Sequence, residues 1–183
     1  MVGIILLVIL VIVVFYVIGL YNSLIRLKNQ VGNGWSQIDV QLKRRHDLIP
    51  NLIETCKGYM KHEKETLENI TNARSHAMGA DSISDKSSAE SALSGSISKF
   101  MLVVENYPDL KANANFISLQ EELSSTENKI AFSRQNYNDQ VLFFNNKIEM
   151  FPSNIIAGSF NFKQADFFEI EDKSEREVPK VKF

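Results

Sequence analysis

One uncharged apolar run at the N-terminus constrains this chain more than any other feature. Residues Val2 to Leu20 are all Val, Ile, Leu, Phe or Gly apart from Tyr16, and no Pro interrupts them. Roughly 20 helical residues at ~1.5 Å each span the ~30 Å hydrocarbon layer of a bilayer. A single span in lipid satisfies its backbone N–H and C=O groups only as an α-helix. We therefore predict a transmembrane anchor over residues 1–21.

A cleaved signal peptide is the competing interpretation of this run. It requires a basic start, a shorter apolar stretch and a small-residue cleavage site. The chain has no Lys or Arg before Arg26 and no Ala-x-Ala-like triplet after Leu20, so the sequence favours a retained anchor. Arg26 and Lys28 follow the run closely, and the positive-inside rule then predicts that the rest of the chain is cytoplasmic.

Composition and motifs argue against several functional classes. The chain has 20 Lys+Arg against 22 Asp+Glu, so no basic field points to nucleic acid. The segment 62–66 begins like the zinc motif H-E-x-x-H, but Thr66 replaces the second histidine. Cys56 lies on an apolar helical stripe and is expected to be a buried hydrophobe. We expect no enzyme activity, catalytic residue, cofactor or metal.

After the anchor, apolar residues recur at steps of three and four in successive segments, which is typical of long packed helices. The stripes are Leu24, Leu27, Val31, Trp35, Ile38 and Leu42; Ile49, Leu52, Cys56, Met60, Leu67, Ile70 and Ala77; Ala89, Leu93, Ile97, Phe100 and Val104; and Phe116, Leu119, Leu123, Ile130, Tyr137, Val141, Phe144, Ile148 and Phe151. No alternating β pattern competes with them. The prediction is an all-α protein, with an elongated antiparallel four-helix up-and-down bundle over residues 22–152 and an aromatic, charged tail over 153–183.

Proline and small polar residues predict where these helices end. Pro50 lacks an N–H, so we expect an ending or sharp kink between His46 and Pro50. Residues 79–82 and 84–88 are small and polar, which predicts a flexible link with Ser87 or Ser88 capping the third helix. Pro108 and Pro152 are expected to end the third and fourth helices. Whether the tail aromatics (Phe160, Phe162, Phe167 and Phe168) pack on the bundle is left open.

Four charged residues interrupt the apolar stripes: Arg45, Glu63, Glu127 and Arg134. A charge on a buried face is costly unless an opposite charge pairs with it. One hypothesis is an internal ion-pair layer that fixes the register of the helices. The alternative is a set of solvated charges along a partly exposed edge, and the sequence leaves both open.

Several multi-residue blocks resemble the bacterial LemA family. In chain order they are residues 35–45, 47–52, 57–63, 107–113, 119–123, 126–130, 137–154 and 178–181. Gly34 and Phe144 depart from the family pattern, which has Ala and Tyr there. The resemblance implies a four-helix bundle behind one membrane span in the bacterial inner membrane. One branch of the family is associated with magnetosome membranes, and the family offers no catalytic residues to carry over.

The function that we expect is a membrane-anchored, non-enzymatic scaffold that organises protein partners. A signal-relaying adaptor with two bundle states is the alternative, and an enzyme or metal protein is a third class. The expected partners are the bilayer, through residues 2–20, and proteins of unknown identity, with a homo-oligomer as a further option and no nucleic acid. The candidate structural or interaction residues are Trp35, Asp39, Arg44, Arg45, Asp47, Pro50, Glu63, Glu127, Asn128, Arg134, Tyr137 and Asn138.

Overall fold

The computed structural model describes residues 1–60 and 62–169, and within them every regular element is an α-helix. The prediction of an all-α protein is therefore confirmed. The helices are α1 (Val2–Lys57), α2 (Lys64–Met78), α3 (Ile83–Val104), α4 (Pro108–Lys111), α5 (Ala114–Glu149) and α6 (Ser153–Ser159).

The N-terminal part of α1 has the properties of a membrane span. It is long and apolar enough to cross a bilayer, and none of its most apolar window is buried against protein. Residues 1–16 are all exposed, whereas Val17, Leu20 and Tyr21 are half-buried and Leu24 is fully buried. A helix with apolar residues on every side requires an apolar surround, so this part of α1 supports membrane anchoring.

The chain forms two compact units. Unit 1 comprises Met1–Gln41 and Lys129–Phe167, and unit 2 comprises Leu42–Asn128 and the chain from Phe168 onward. Helices α1 and α5 contribute residues to both units. The domain boundaries expected from the sequence, at residues 21 and 152, stay a prediction.

Unit 2 has one hydrophobic core, to which the second half of α1, the first half of α5 and the whole of α2 and α3 contribute. The short links between these helices favour antiparallel neighbours. The stripes predicted the core well, because an amphipathic helix buries its apolar face. The buried members are Ile49, Leu52, Cys56, Met60, Leu67, Ile70, Ala77, Leu93, Phe100, Val104, Leu110, Phe116 and Leu123.

The prediction that a helix ends near Pro50 is wrong, because α1 continues to Lys57. The alternative, a sharp kink there, stays a prediction. Pro50 has no N–H for the carbonyl of His46, one turn earlier. The structure supplies another donor, since Arg74 Nε on α2 donates to His46 O at 2.7 Å. The helix ends instead at Lys57, and the N–H groups of Tyr59 and Met60 both donate to Cys56 O at 2.9 Å.

The predicted start of the third helix is also wrong. Helix α3 begins at Ile83, and Ser82 is its N-cap, with a side chain that accepts a hydrogen bond from Asp85 N. The flexible link is thus shorter than expected, because the serines of residues 84–88 belong to the helix. Ser87 is buried in it, and its hydroxyl donates to Glu169 O.

In unit 1, α1 and α5 approach each other closely at Gly34. A Cβ on Gly34 would lie 3.3 Å from Tyr137 Cα, closer than most such contacts. Trp35 packs against the Tyr137 ring with centroids 5.5 Å apart. The segment around Gly34 is continuous helix. Here glycine allows close packing.

The tail aromatics that the sequence left open differ in their packing: Phe162 is half-buried and Phe168 is buried, whereas Phe160 and Phe167 are exposed. In unit 1, Tyr21 contacts the rings of Phe160 and Phe162 at centroid distances of 4.7 and 5.9 Å. The side-chain amide of Asn145 donates to Ala165 O and accepts from Ala165 N, both at 2.9 Å. In unit 2, Phe168 is buried. The final block resembling the LemA pattern, residues 178–181, lies outside the described residues.

Phe151 departs from its expected place on the buried face. Helix α5 ends at Glu149, so Phe151 lies in the turn before α6 and is 80% exposed.

We predict that Arg74→Met lowers the free energy of unfolding by about 1–2 kcal/mol, because it leaves His46 O without a donor. In a Pro50→Ala background the loss is expected to be smaller, since the alanine supplies the missing backbone N–H. Thermal unfolding of the detergent-solubilised chain, followed by circular dichroism, measures both. Equal losses in the two backgrounds would contradict this account of Pro50.

Candidate functional site

A buried arginine organises the centre of unit 2. Arg45 lies on α1 and is only 2% exposed. Its Nη1 donates to Glu127 Oε2 on α5 at 2.7 Å and to Ser94 Oγ on α3 at 2.8 Å. Its Nη2 pairs with the carboxylate of Glu90, also on α3. The arginine therefore joins three helices, as the ion-pair hypothesis for Arg45 and Glu127 requires.

Glu90 also faces His46. His46 Nε2 lies 2.9 Å from Glu90 Oε1, a hydrogen-bond distance when Nε2 carries the proton. Burial disfavours the charged form of Glu90, but hydrogen bonds from His46 and Arg45 and the charge of Arg45 outweigh burial and lower its pKa. Glu90 is therefore ionised at neutral pH. We call Arg45, His46, Glu90, Ser94 and Glu127 the polar layer.

Helical spacing explains why these side chains point inward. Arg45 lies three residues after Leu42 and four before Ile49, both of which are buried. Glu90 lies three residues before buried Leu93 and so shares its face. The apolar stripes indicated Arg45 and Glu127 but not Glu90 and His46. The three-residue spacing to Leu93 was the available signal for Glu90.

A cavity of about 300 Å³ opens beside the polar layer in unit 2. Arg45, Ser94 and Glu127 supply its polar wall, and Ile97, Met101 and Leu123 supply apolar wall.

The cysteine Cys56 does not line this cavity. Burial raises the pKa of its thiol to about 12, so this thiol is not a ready nucleophile at neutral pH. Among residues 1–60 and 62–169, no group of three or more His, Cys, Asp or Glu side chains is arranged to hold a metal ion. The contacts of the polar layer join α1, α3 and α5.

Two further predicted residues hold other contacts. Tyr107 donates its hydroxyl hydrogen to Glu63 in unit 2, and this carboxylate raises the pKa of Tyr107. In unit 1, Tyr137 is buried and donates to Asp166 O at 2.7 Å. Burial and the nearby Asp166 charge raise its pKa to about 12. Glu63 is therefore paired, but with Tyr107 and outside the polar layer.

The remaining candidates do not converge on one site. Arg134 is half-buried and belongs to unit 1, and it forms no ion pair within the described part of the chain. Arg44 forms an ion pair with Glu122 at 2.5 Å on the surface of unit 2, where the two side chains are 50% and 44% exposed. Asp39, Asp47, Pro50 and Asn128 are exposed, whereas Trp35 and Asn138 are half-buried. Their role as interaction residues stays a prediction.

We predict that Arg45→Met lowers the free energy of unfolding by about 3–5 kcal/mol, because it leaves Glu90 buried without its cation. The neighbouring substitution Arg44→Met is the matched control and is expected to cost about 0–1 kcal/mol, since its pair is solvated. Thermal unfolding of both variants in detergent compares them. Similar losses of unfolding free energy in the two variants would show that the buried ion pairs of the polar layer do not stabilise the fold.

The lowered pKa of Glu90 predicts an acid-sensitive contribution to stability. Because the pKa is lowered on folding, the ionised carboxylate stabilises the fold above its ordinary pKa of 4.5, and this contribution disappears as the pH falls through the lower pKa of the folded state. We expect Glu90→Gln to be less stable than the natural chain at pH 7 and to approach it below pH 4.5. Unfolding midpoints from pH 7 to pH 3 measure this, and a constant difference would exclude it.

Comparisons with known proteins agree with the family that the sequence resembles. Residues 34–183 match the model of the LemA family. The chain is 32% identical over 161 residues to Protein LemA of Metamycoplasma hominis, an alignment covering 86% of this chain and 73% of that protein. It is 21% identical over 175 residues to Magnetosome protein MamQ 2 of Paramagnetospirillum magneticum, covering 81% of this chain and 64% of that relative. This chain thus spans less than two thirds of the MamQ 2 length. The chain belongs to the LemA family.

Proposed function

We propose that this protein is a membrane-anchored, non-enzymatic scaffold that organises protein partners at the bacterial inner membrane. The continuity of α1 carries the proposal. The same helix holds the exposed apolar segment at its N-terminus and supplies Arg45, Ile49 and Leu52 to the interior of unit 2. Because no link separates the anchor from the packed residues, a partner bound to the protein is held at the membrane.

The packed helices also expose apolar side chains that a partner protein can cover. On α5 in unit 1, Phe132, Leu142 and Phe143 are exposed, and on α3 in unit 2, Leu102 is exposed. Scattered apolar residues occur on any surface, but large aromatic side chains are also the usual anchors of protein interfaces. We therefore consider these apolar positions better candidates for partner contacts than the charged candidate residues.

The chemistry of the described residues fits a scaffold better than an enzyme. The charged groups of the polar layer are used in pairing with one another, and the Cys56 thiol is buried. The names of the LemA and MamQ relatives denote no reaction, and MamQ is named for the magnetosome, which supports a role at a membrane structure. Arg26 and Lys28 favour a cytoplasmic location for the packed helices.

In intact cells, a photo-crosslinking amino acid at Phe132 or Phe143 is expected to capture the same defined partners, because these aromatics are exposed. Glu121, an exposed charged position, is the control and is expected to give few products. Mass spectrometry identifies what is captured. A scaffold predicts a product pattern independent of growth conditions, and cytoplasmic or inner-membrane partners.

Three outcomes would count against this function or its details. An absence of products at both aromatic positions would overturn the scaffold. A pattern that changes with an envelope cue would favour the signal-relaying adaptor. Periplasmic partners would reverse the orientation.

A further inference from the structure

Residues 150–162, called the apolar turn below, comprise the link after α5, the whole of α6 and the three residues that follow it. Residues 150–162 contain no charged side chain, whereas Glu149 and Lys163 flank them. Met150, Phe151, Ile155 and Phe160 in this segment are all exposed. A cluster of exposed apolar side chains usually marks a surface that contacts another molecule or a membrane.

The apolar turn contacts α1 at the end of the membrane anchor. Tyr21 directly follows the apolar run Val2–Leu20, and its ring lies 4.7 Å from the ring of Phe160. Val17 and Leu20, on the last turn of the run, are half-buried, whereas residues 1–16 are all exposed. From Val17 to Tyr21 the helix rises only about 6 Å. Phe160 is therefore at the depth where the membrane span ends.

We propose that residues 150–162 insert into the headgroup region of the bilayer that holds the anchor, so that phospholipid covers their exposed apolar side chains. The surface is continuous with the anchor, whose exposed residues have lipid as their surround. Aromatic residues are favoured at this depth, where apolar rings meet polar headgroups. The protein thus contacts the membrane through two separate segments of the chain.

The charges around the turn fit an anionic lipid surface. In the unit 1 segments 21–32 and 143–165, the charged residues are Arg26, Lys28, Lys147 and Lys163 against Glu149 alone. Glu149 accepts a hydrogen bond from the Gln164 amide. Basic residues beside an inserted apolar segment are attracted to anionic headgroups.

A fluorescent label can report the depth of the turn in the full-length protein. This proposal rests on the anchor that the proposed function also requires, but not on any protein partner. We would attach an environment-sensitive dye to Phe151→Cys and Ile155→Cys and reconstitute each in vesicles of phosphatidylcholine and phosphatidylglycerol. The natural Cys56 is fully buried, so the unsubstituted chain measures background labelling.

Two matched positions serve as controls. Phe132→Cys replaces an aromatic residue of similar exposure, 74% against 80% for Phe151. Phe132 lies on α5, about 25 Å before the C-terminal end of that helix. Val11→Cys places the dye inside the anchor. Nitroxide-labelled lipid quenches dyes in the bilayer, and iodide quenches dyes in water.

The expected result is that nitroxide lipid quenches positions 151 and 155 at least about twofold more than position 132, and that iodide gives the opposite order. Equal quenching at 132 and 151 would overturn the proposal. So would a dye at 151 protected from both quenchers, because a second protein copy would then cover the turn. Lipid quenching at position 11 alone would refute this inference while leaving the anchor intact. If nitroxide lipid did not quench the dye at position 11, the membrane anchor and the proposed function would both be contradicted.

Discussion

The interior of unit 2 depends on one buried positive charge. Hydrophobic side chains at regular spacing permit several registers, because one apolar residue packs on another after a slip of one turn. A guanidinium does not permit this, since a slip would leave Arg45 or Glu90 buried without an opposite charge. Arg45 bonds to both α3 and α5, so a change of register would break its contacts with two helices at once. That this layer fixes the register of the helices stays a prediction.

The sequence predicted the parts of the fold that follow from periodicity. The stripes identified most of the buried core, because the apolar residues on the buried face of a helix recur every three or four positions in the sequence. Helix ends were predicted less well, since they depend on residues distant in sequence. Pro50 remains inside α1 because a side chain of α2 replaces the donor that proline lacks. Local spacing alone does not contain that information.

The candidate site was predicted in part for the same reason. Arg45 and Glu127 interrupt apolar stripes and could be recognised as candidate partners, although Arg45 is buried and Glu127 is half-exposed. Glu90 lies three residues before buried Leu93, so its spacing was a signal that the sequence contained. Arg134 showed the same kind of interruption as Arg45 but has no ion pair in the described structure, so the pattern identifies candidates and not partners. Only the three-dimensional packing shows which charges meet.

The contact between Asn145 and Ala165 has a consequence for variation within the C-terminal segment. One amide side chain satisfies both backbone hydrogen-bonding groups of Ala165, as a neighbouring β-strand would. These hydrogen bonds involve only the backbone of Ala165 and not its side chain. The backbone contact at residue 165 therefore depends on Asn145, and one asparagine of α5 can hold a segment that has no regular secondary structure of its own.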